Sequence, residues 1–453
     1  MKKDSAAKFI ILCSMLYLVL GMTMGIVVAL KLIWPTIGDF ALLSYGKIRV
    51  LHTNLILFGW LLQSGIGITL FILPRLLNTT LLCEKTGVAM GVLYNVAVLG
   101  GSISILNGGM KNIEYGEIPA PYDYMIAVCW VLFGINIFGT ILRRKVKQFY
   151  VSVWYITGAV IWTTFVYISG NMITQMPFMA GINQANLQWF YVHNVVGLIF
   201  TPIGVAMAYY LIPKSLNTPL YSHKLSLVGF WVISFVYVWT GAHHMIHGPI
   251  SYWLQTVAII CSWGLIIPVA AVITNFVGTY RSAPKANRTN GPVPKLLFMG
   301  TMYYLLTCLQ GPFQAIRAVN VVVSKTDWVV GHAHMAVFGA FSFFSMAGVY
   351  YIIPRLMGTE LFSKKLGDLH FWLMTISSIP FFAVLWIGGI QQGLAWLNPE
   401  ITFLEALEPL KHSHIARFAS GSLILISVLL FLYNIVETLA GKGKPLAVKE
   451  GEL

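Results

Sequence analysis

Long apolar runs separated by short polar segments repeat along the whole chain. Most runs are about 20 residues long or longer, enough to cross a hydrocarbon core of roughly 30 Å as an α-helix. Pro or Gly marks many of the breaks, as expected for loops. The pattern predicts an all-α polytopic membrane protein, with a single integral-membrane domain over 1–453 that ends in a short tail at 441–453. The twelve predicted spans are about 8–31, 49–74, 87–107, 122–143, 150–169, 188–213, 225–247, 252–279, 296–321, 327–353, 369–393 and 415–440.

Composition and charge agree with this class and give the chain an orientation. Of the 453 residues, 57% are hydrophobic and 10% are charged, whereas soluble domains carry roughly 25% charged residues. The net charge of +14 would indicate nucleic-acid binding in a soluble protein. If both termini lie on one side, however, that side carries 21 of the 29 lysines and arginines and the other side carries 8. The positive-inside rule then predicts cytoplasmic termini, a lipid bilayer as the surroundings and no nucleic-acid partner.

The cysteines and the N-terminus add little chemistry. The cysteines lie singly in or beside apolar runs, with no Cys-x-x-Cys-His motif and no zinc-type cluster, so we interpret them as small packing residues. The start at Met1-Lys2-Lys3 is followed by an apolar run too long for a signal peptide, which predicts an uncleaved first span. The cysteines are Cys13, Cys83, Cys129, Cys261 and Cys308.

Six histidines lie at the ends of four predicted spans, and the orientation places all of them in the outer third of the membrane. They are His52, His193, His243, His244, His332 and His334. Ionisable groups inside a membrane indicate function by default, and imidazole is a common ligand of iron, copper and zinc. A helix turns about 100° per residue, so His332 and His334 point to nearly opposite sides. One interpretation is a helix between two metal cofactors; the other is a pair of hydrogen-bonded histidines near the membrane surface.

His243 and His244 are consecutive, so both can reach one ion only where the helix loosens. Gly241 and Gly248-Pro249 favour such loosening. With His193 they would give three nitrogen ligands and leave a position open for a small molecule, a set that suits copper, zinc or iron. The alternative is that His243 caps backbone carbonyls and His244 packs.

Four segments resemble the catalytic subunit of haem-copper oxidases, and most closely the C family, the cbb3-type cytochrome c oxidases. The resemblance runs from about Lys47 to Tyr433. The segments are Leu51-His52-Thr53-Asn54, Gln188-Trp189-Phe190-Tyr191-Val192-His193-Asn194, Tyr237-Val238-Trp239-Thr240-Gly241-Ala242-His243-His244 and Asp327-Trp328-Val329-Val330-Gly331-His332-Ala333-His334.

The resemblance implies a twelve-helix oxidase subunit I bundle with two haems b and one copper ion, copper B. His52 and His334 would be the axial ligands of a low-spin haem b, and His332 would be the ligand of a high-spin haem b. His193, His243 and His244 would hold copper B. Arg49 matches a position that pairs with haem propionates; alternatively, it is an arginine that reaches the membrane surface.

Nitric oxide reductases share the six histidines, so other residues must indicate the substrate. Splitting O2 needs a fourth electron that a nearby tyrosine can give, and Tyr237 lies two turns before His244 on nearly the same face. In the C family a tyrosine here is cross-linked to the histidine that corresponds to His193. The reductases add a glutamate where this chain has Gly197, and no Asp or Glu occurs from Gln188 to Ile250. Copper and O2 are therefore favoured.

Two further segments bear on protons and ions. Where the C family has Phe-Glu-Gly-Pro, this chain has Leu309-Gln310-Gly311-Pro312. Gln310 cannot carry a proton as a carboxylic acid does, which puts the usual proton route in doubt and leaves room for a reductase. Glu114 and Glu117 match a family segment near the propionates, and they either help bind calcium or belong to a solvated loop.

Protons must cross from the cytoplasm to a site near the outer face. Polar side chains on the seventh and ninth spans could line a path, although such residues also mediate ordinary helix packing. The candidates, besides Gln310, are Ser234, Thr240, Tyr303, Tyr304 and Thr307.

The resemblance therefore predicts a proton-translocating cytochrome c oxidase in a bacterial cytoplasmic (inner) membrane. Because the chain has no covalent haem motif and no cysteine-rich copper centre, electrons must come from elsewhere. The resemblance implies membrane-anchored c-type cytochrome subunits as the natural partners, and a soluble cytochrome c could feed them. Two alternatives remain: a nitric oxide reductase of the same fold, and a transporter whose histidines bind a transition metal ion.

Overall fold

The computed structural model describes residues 1–446, and within them the chain forms twelve long helices. The predicted tail at 441–453 is described only as far as residue 446. The helices are α1 (Ser5–Ile33), α2 (Tyr45–Leu76), α3 (Glu84–Leu106), α4 (Tyr122–Leu142), α5 (Val151–Gln175), α6 (Gly181–Leu216), α7 (His223–Met245), α8 (Tyr252–Ser282), α9 (Pro292–Gln314), α10 (Asp327–Met357), α11 (Lys364–Leu397) and α12 (Phe403–Leu439).

Eleven of these helices are long and apolar enough to cross a membrane, which confirms the predicted class. The other one is α9, with 23 residues, which overlaps the predicted span at about 296–321 but ends at Gln314, and a separate short helix follows at Arg317–Val323. Its middle carries Tyr303, Tyr304, Thr307 and Gln310, which lower its hydropathy. The count of twelve membrane spans is therefore not confirmed by length and composition alone.

Three helices form the interior of the bundle. In α2 and α6, 94% of the most apolar 18-residue stretch is buried, and in α10 the share is 89%, against 33–56% in the other spans. Small residues allow these helices to approach closely. A Cβ added at Gly65 of α2, for example, would lie 2.6 Å from the side chain of Ile203 in α6. All six histidines identified in the sequence line one space between these three helices and α7.

Each interior helix leaves regular α geometry just after its histidine. The π-helical segments are Leu55–Leu62 in α2, Val195–Phe200 in α6 and Met335–Ser342 in α10. A π turn accommodates an extra residue and rotates the helix beyond it, and such turns are frequent at functional sites. In each interior helix, therefore, the histidines and the π-helical segment lie next to each other.

The seventh helix loosens where the sequence predicted it. Its α-helical part ends at Val236, and 3₁₀ turns follow at Tyr237–Trp239 and Gly241–Met245. The tighter turn changes the angle between neighbouring residues, so the two consecutive histidines are not held at the 100° of a regular helix. That prediction is confirmed.

Candidate metal centres

His52 and His334 face each other across a gap between α2 and α10. Their ring centroids are 6.0 Å apart and the ring planes differ by 17°. The Nδ1 atom of His52 lies 2.7 Å from the carbonyl oxygen of Gly21, and that of His334 lies 2.8 Å from the carbonyl oxygen of Val330. Since a carbonyl only accepts, each Nδ1 carries a proton that it donates, and each Nε2 is left as a ligand atom.

The dimensions of this pair fit a metal held between two imidazoles. Two nitrogens bonded to one ion at about 2 Å each put the ring centroids roughly 6 Å apart. The surrounding space, which we call the paired-histidine cavity, has a volume of about 1000 Å³. Its walls are mainly apolar, with Leu18, Phe338 and Phe381 among them. A flat apolar macrocycle with iron at its centre, such as haem, suits this combination of ligands and walls.

The other candidate centre is a cluster of three histidines between α6 and α7. One ligand nitrogen from each of His193, His243 and His244 lies within 4.8 Å of the other two. The Nδ1 of His193 and the Nε2 of His244 are 3.0 Å apart, a separation that two ligands of one ion also show at bond lengths of about 2 Å. Among residues 1–446, the buried Nε2 of His193 has no hydrogen-bond partner. The donor set and the short separation between two of its nitrogens fit a copper ion.

Neighbouring side chains fix the orientation of this cluster. The Nδ1 of His243 lies 2.7 Å from the hydroxyl oxygen of Ser262 in α8, which leaves its Nε2 for a metal. The ring of His244 stacks on Trp189, with centroids 4.4 Å apart and planes 14° from parallel. The cluster is therefore positioned by side chains of α8 and α6, and the sequence alone gave neither of them this role.

His332 faces the cluster, on the other side of α10 from His334. It lines a cavity of about 720 Å³, the cluster cavity, together with His193, His243 and Tyr237. His334 lines the paired-histidine cavity instead, so the predicted opposition of the two imidazoles is confirmed. The Nδ1 of His332 lies 3.3 Å from the amide oxygen of Gln310 in α9. Gln310, predicted as part of a proton path, is thus a partner of the imidazole.

Tyr237 lies directly against the cluster. Its ring stacks on that of His193, with centroids 4.7 Å apart and an interplanar angle of 20°. The covalent link between these two residues stays a prediction. The Tyr237 ring also covers Gly197, and a Cβ added there would overlap the ring. Any side chain at this position, including the glutamate of a nitric oxide reductase, would therefore displace Tyr237.

A third, larger cavity of about 1380 Å³ joins both centres on the side of the loop between α3 and α4. Arg49 and Arg417 line it, the latter 3.7 Å from Asp327. Two cations at a shared opening suit the carboxylates of haem propionates. Arg49 was expected here from the sequence, whereas Arg417, which lies in a different span, was not.

The two loop carboxylates identified in the sequence have separate partners. Glu114 forms a bidentate ion pair with Arg49, in which the two guanidinium nitrogens lie 2.9 and 3.2 Å from the two carboxylate oxygens. Glu117 is buried and accepts a hydrogen bond of 2.9 Å from the Asn54 amide. Burial raises the pKa of Glu117 to about 7. Within residues 1–446, the three-histidine cluster is the one grouping of at least three potential ligand side chains, so calcium stays a prediction.

The predicted proton-path residues separate into two groups. Tyr304 and Thr307 line the cluster cavity. Tyr303 points away from it and bonds Ser378 of α11 at 2.5 Å. The hydroxyls of Ser234 and Thr240 donate to the carbonyl oxygens of Phe230 and Tyr237 in their own helix.

The matching family model is "Cytochrome C and Quinol oxidase polypeptide I", and the match covers residues 5–440. The chain belongs to this family. It is 31% identical over 430 residues to "Cbb3-type cytochrome c oxidase subunit CcoN1" of Stutzerimonas stutzeri, covering 92% of this chain and 90% of the relative. Further relatives are named cytochrome c oxidase subunit 1 or its homologue.

Two other similarities bear on fold and substrate. A solved structure described as a heme-copper terminal oxidase dimer matches with a TM-score of 0.78 at 18% identity, covering 96% of this chain and 84% of that one. The family fold is therefore present. A nitric oxide reductase chain of Stutzerimonas stutzeri is 24% identical over 445 residues, covering 90% of each chain. That lower identity favours the oxidase branch of the family.

Proposed function

We propose that this chain is the catalytic subunit of a terminal respiratory oxidase that reduces O2 to water with electrons from c-type cytochromes. The observation that carries the proposal is the convergence of three buried imidazoles beside Tyr237 and opposite His332. Such a site offers two metals on facing sides of one cavity and a phenol within reach of both.

The histidines divide among three cofactors. His52 and His334 would hold a low-spin haem b, His332 would hold a high-spin haem b, and the cluster would hold copper B. When bound, these groups bind O2 and deliver electrons to it.

The backbone of α10 sets the spacing between the two haem sites. His332 and His334 are two residues apart on one helix, so the two cofactor sites share a wall and electrons need to cross only that helix. Its start is fixed by the hydroxyl of Thr326, which accepts the N–H of Trp328, and by Gln392, which accepts the N–H of Asp327. These contacts fix the start of α10, and both proposed ligands lie in its second turn.

Tyr237 and Gly197 determine the choice of substrate. A phenol in contact with His193 can give both an electron and a proton to a bound O2, which a reductase for nitric oxide does not need. The Tyr237 ring occupies the space above Gly197 that a carboxylate would need. Three neutral imidazoles without a carboxylate favour copper over a second, non-haem iron.

Charge distribution sets the proposed direction of proton flow. With the termini in the cytoplasm, the histidines lie near the outer face, so protons reach the cluster cavity from the inside and their uptake moves charge across the membrane. Membrane-anchored c-type cytochromes would dock on the outer face and pass on electrons from soluble cytochrome c. We place the complex in a bacterial cytoplasmic membrane.

Purification of the whole complex, followed by an optical spectrum, metal analysis and O2-uptake assays, tests the proposal. We expect b-type haem bands, one copper for every two haems b, and O2 consumption driven by reduced cytochrome c. His243→Ala should lose the copper and the activity, whereas His223→Ala, at the other end of α7, should keep both. A second, non-haem iron with N2O production from NO would overturn the choice of substrate, and a complex without haem would indicate a transporter.

A further inference from the structure

The three interior helices share a short sequence pattern near their C-terminal ends. In each helix, an aromatic residue is followed by two aliphatic residues, a proline and a basic residue. The π-helical segment of each helix begins 18 or 19 residues before that proline. The three helices can therefore be compared position by position. The copies of the pattern are Phe71-Ile72-Leu73-Pro74-Arg75 in α2, Tyr210-Leu211-Ile212-Pro213-Lys214 in α6 and Tyr351-Ile352-Ile353-Pro354-Arg355 in α10.

Two positions of the shared pattern hold the proposed ligands. They lie 22 and 20 residues before the proline, and each proposed centre combines the first position of one helix with the second position of another. His52 of α2 is thus opposite His334 of α10. His332 of α10 shares the cluster cavity with His193 of α6. The remaining combination, which joins the first position of α6 to the second position of α2, consists of Tyr191 and Asn54.

Tyr191 and Asn54 also line a common space, which we call the tyrosine–asparagine cavity. Its volume is about 210 Å³, against about 1000 Å³ and 720 Å³ at the two histidine centres. Asp123 of α4 and Tyr167 and Asn171 of α5 line it as well. The interface between α2 and α6 is therefore occupied by polar side chains at the positions where the other two interfaces have histidines.

A buried ion pair lies beside this cavity. The ammonium group of Lys111, in the loop between α3 and α4, donates to the carboxylate of Asp123 at 2.7 Å and to the amide oxygen of Asn171 at 2.9 Å. Asp123 also accepts a hydrogen bond from the Tyr167 hydroxyl. The side chains of Lys111 and Asp123 are only 17% and 9% exposed, so removal of either would leave a buried charge without its partner. The pair therefore fixes the loop against α4 and α5.

Hydrogen bonds extend from the ion pair to α6 and α2. The amide nitrogen of Asn171 donates to the Tyr191 hydroxyl at 3.3 Å, and this hydroxyl donates to the carbonyl oxygen of Tyr115 at 2.8 Å. Two residues further along the loop, the Glu117 carboxylate accepts from the Asn54 amide at 2.9 Å. The contacts thus connect α6 with α2 through the loop. We call the set the ion-pair network, and its members are Lys111, Asp123, Asn171, Tyr191, Tyr115, Glu117 and Asn54.

The ion-pair network ends beside a proposed ligand on each helix. Tyr191 is two residues before His193, and Asn54 is two residues after His52. The π-helical segments begin immediately beyond these sites, where the regular hydrogen bonds of an α-helix are interrupted. The direction of each imidazole therefore depends on contacts outside its own helix. Tyr191 provides a rigid contact, because it is fully buried and a Cβ added at Gly170 would overlap its ring.

We propose that the ion pair of Lys111 and Asp123 is a positioning element shared by both metal centres. Through the network it sets the orientation of His52 and of His193. The inference rests on the proposed function, because these two histidines would hold different cofactors of one oxidase. At two interfaces a bound metal would join the interior helices, and at the third a fixed ammonium and carboxylate join them. Loss of the pair should therefore disturb both centres together, unlike loss of a single ligand.

Two buried ion pairs of similar exposure separate positioning from stability. In the purified complex, Lys111→Met removes the ammonium group of the network. Arg75→Met is the matched control, because Arg75 pairs with Asp4 near the C-terminal end of α2 at 17% and 11% exposure. We expect both variants to lower the melting temperature. Only Lys111→Met should weaken copper binding, by roughly tenfold against a competing chelator.

Electron paramagnetic resonance of the oxidised low-spin haem reads the other centre. Its g values report the angle between the two imidazole planes, and we expect them to change in Lys111→Met and not in Arg75→Met. Lys111→Arg keeps the charge and should return both the copper affinity and the g values toward those of the parent. Tyr191→Phe keeps the ring and removes the hydroxyl group, and it should weaken copper binding by about fivefold, the effect of one hydrogen bond.

The outcomes separate the two proposals. A Lys111→Met complex with a lower melting temperature but the copper affinity and g values of the parent would overturn the positioning role, and so would a change at one centre alone. An unchanged copper affinity in Tyr191→Phe would overturn it even if Lys111→Met failed to assemble. A parent complex without haem or copper would instead overturn the proposed function.

Discussion

The paired-histidine centre and the three-histidine cluster use the same ligand type but are held in place differently. His52 and His334 are oriented by backbone carbonyls, and the space around them is mainly apolar. His243 is oriented by the hydroxyl of Ser262, and His244 by the indole of Trp189. The first centre has a histidine on each side of its gap, whereas the second faces a cavity with polar groups.

This difference follows from what each centre has to do. A metal that only transfers electrons works best with both axial positions filled and little rearrangement, which rigid backbone acceptors provide. A metal that binds a gas molecule needs an open position and a nearby source of protons. The loosened end of α7 and the hydroxyl groups of Tyr304 and Thr307 in α9 lie beside the cluster cavity and suit these requirements. The comparison predicts that substitutions at the two centres have separable effects.

The largest difference in effect between the two centres should appear when one proposed ligand of each centre is removed. His193→Ala should abolish O2 reduction and release copper while the low-spin haem spectrum remains. His334→Ala should remove the low-spin haem bands and leave the copper in place. Optical spectra and metal analysis of the two variants test this, with the whole complex intact on a sizing column. Loss of both cofactor types in either variant would mean that the centres do not assemble independently.

Substitution of Tyr237 tests the three-histidine cluster without changing the paired-histidine centre. Tyr237→Phe keeps the ring against His193 and Gly197 but removes the hydroxyl group. We expect O2 reduction to fall by on the order of 10²-fold or more, with haem and copper contents unchanged. NO reduction by the same complex should be little affected, because that reaction needs no phenol. Equal losses with both gases would contradict the role given to Tyr237.

The candidate ligands could be identified from the sequence, whereas the side chains that orient them could not. Histidines at the ends of apolar runs are visible in a linear pattern because membrane burial makes them exceptional, and the glycines near His243 indicated the loosened helix. The partners Ser262 and Gln310 belong to other helices, so only packing brings them to His243 and His332.

The direction in which side chains point around each helix was the other feature that the sequence did not reveal. The π-helical segments depend on one extra residue per turn, which periodicity does not reveal. The polar residues of α9, a regular α-helix, were grouped as one path from the sequence, although the neighbours Tyr303 and Tyr304 differ by about 100° and contact different elements. Arg417 was missed because charge near a span end is common, and its place beside Arg49 at the third cavity arises only in the folded bundle.

A smaller effect is expected when a side chain that orients a proposed copper ligand is removed. Ser262→Ala removes the hydroxyl group beside His243, and loss of such a partner typically weakens metal binding by roughly 10–100-fold. Titration of the copper with a competing chelator measures the change. Ser427→Ala, a buried serine that donates to its own helix, is the matched control. An unchanged copper affinity would show that Trp189 and the backbone alone orient the cluster.

The smallest effect should be a change in redox potential, confined to the high-spin haem that we propose His332 would hold. Gln310 accepts from the Nδ1 of His332 as a neutral group, whereas a carboxylate there would draw the proton away and make the imidazole a stronger electron donor. Gln310→Glu should therefore lower the midpoint potential of the high-spin haem, by about 60 mV if the effect is a tenfold change in the redox equilibrium. Redox titration, with the iron–histidine stretch from resonance Raman spectra, measures both consequences.

The neighbouring Gln314 shows whether contact or charge causes that shift. It lies one turn further along α9, and its amide oxygen accepts from the indole nitrogen of Trp328 at 3.0 Å. Gln314→Glu adds the same charge without touching His332, so it should move the potential less and leave the iron–histidine stretch unchanged. If both variants shifted the potential equally and neither changed the stretch, the hydrogen bond between Gln310 and His332 would have no role in tuning the haem. The difference between the two centres would then lie in their open and closed coordination alone.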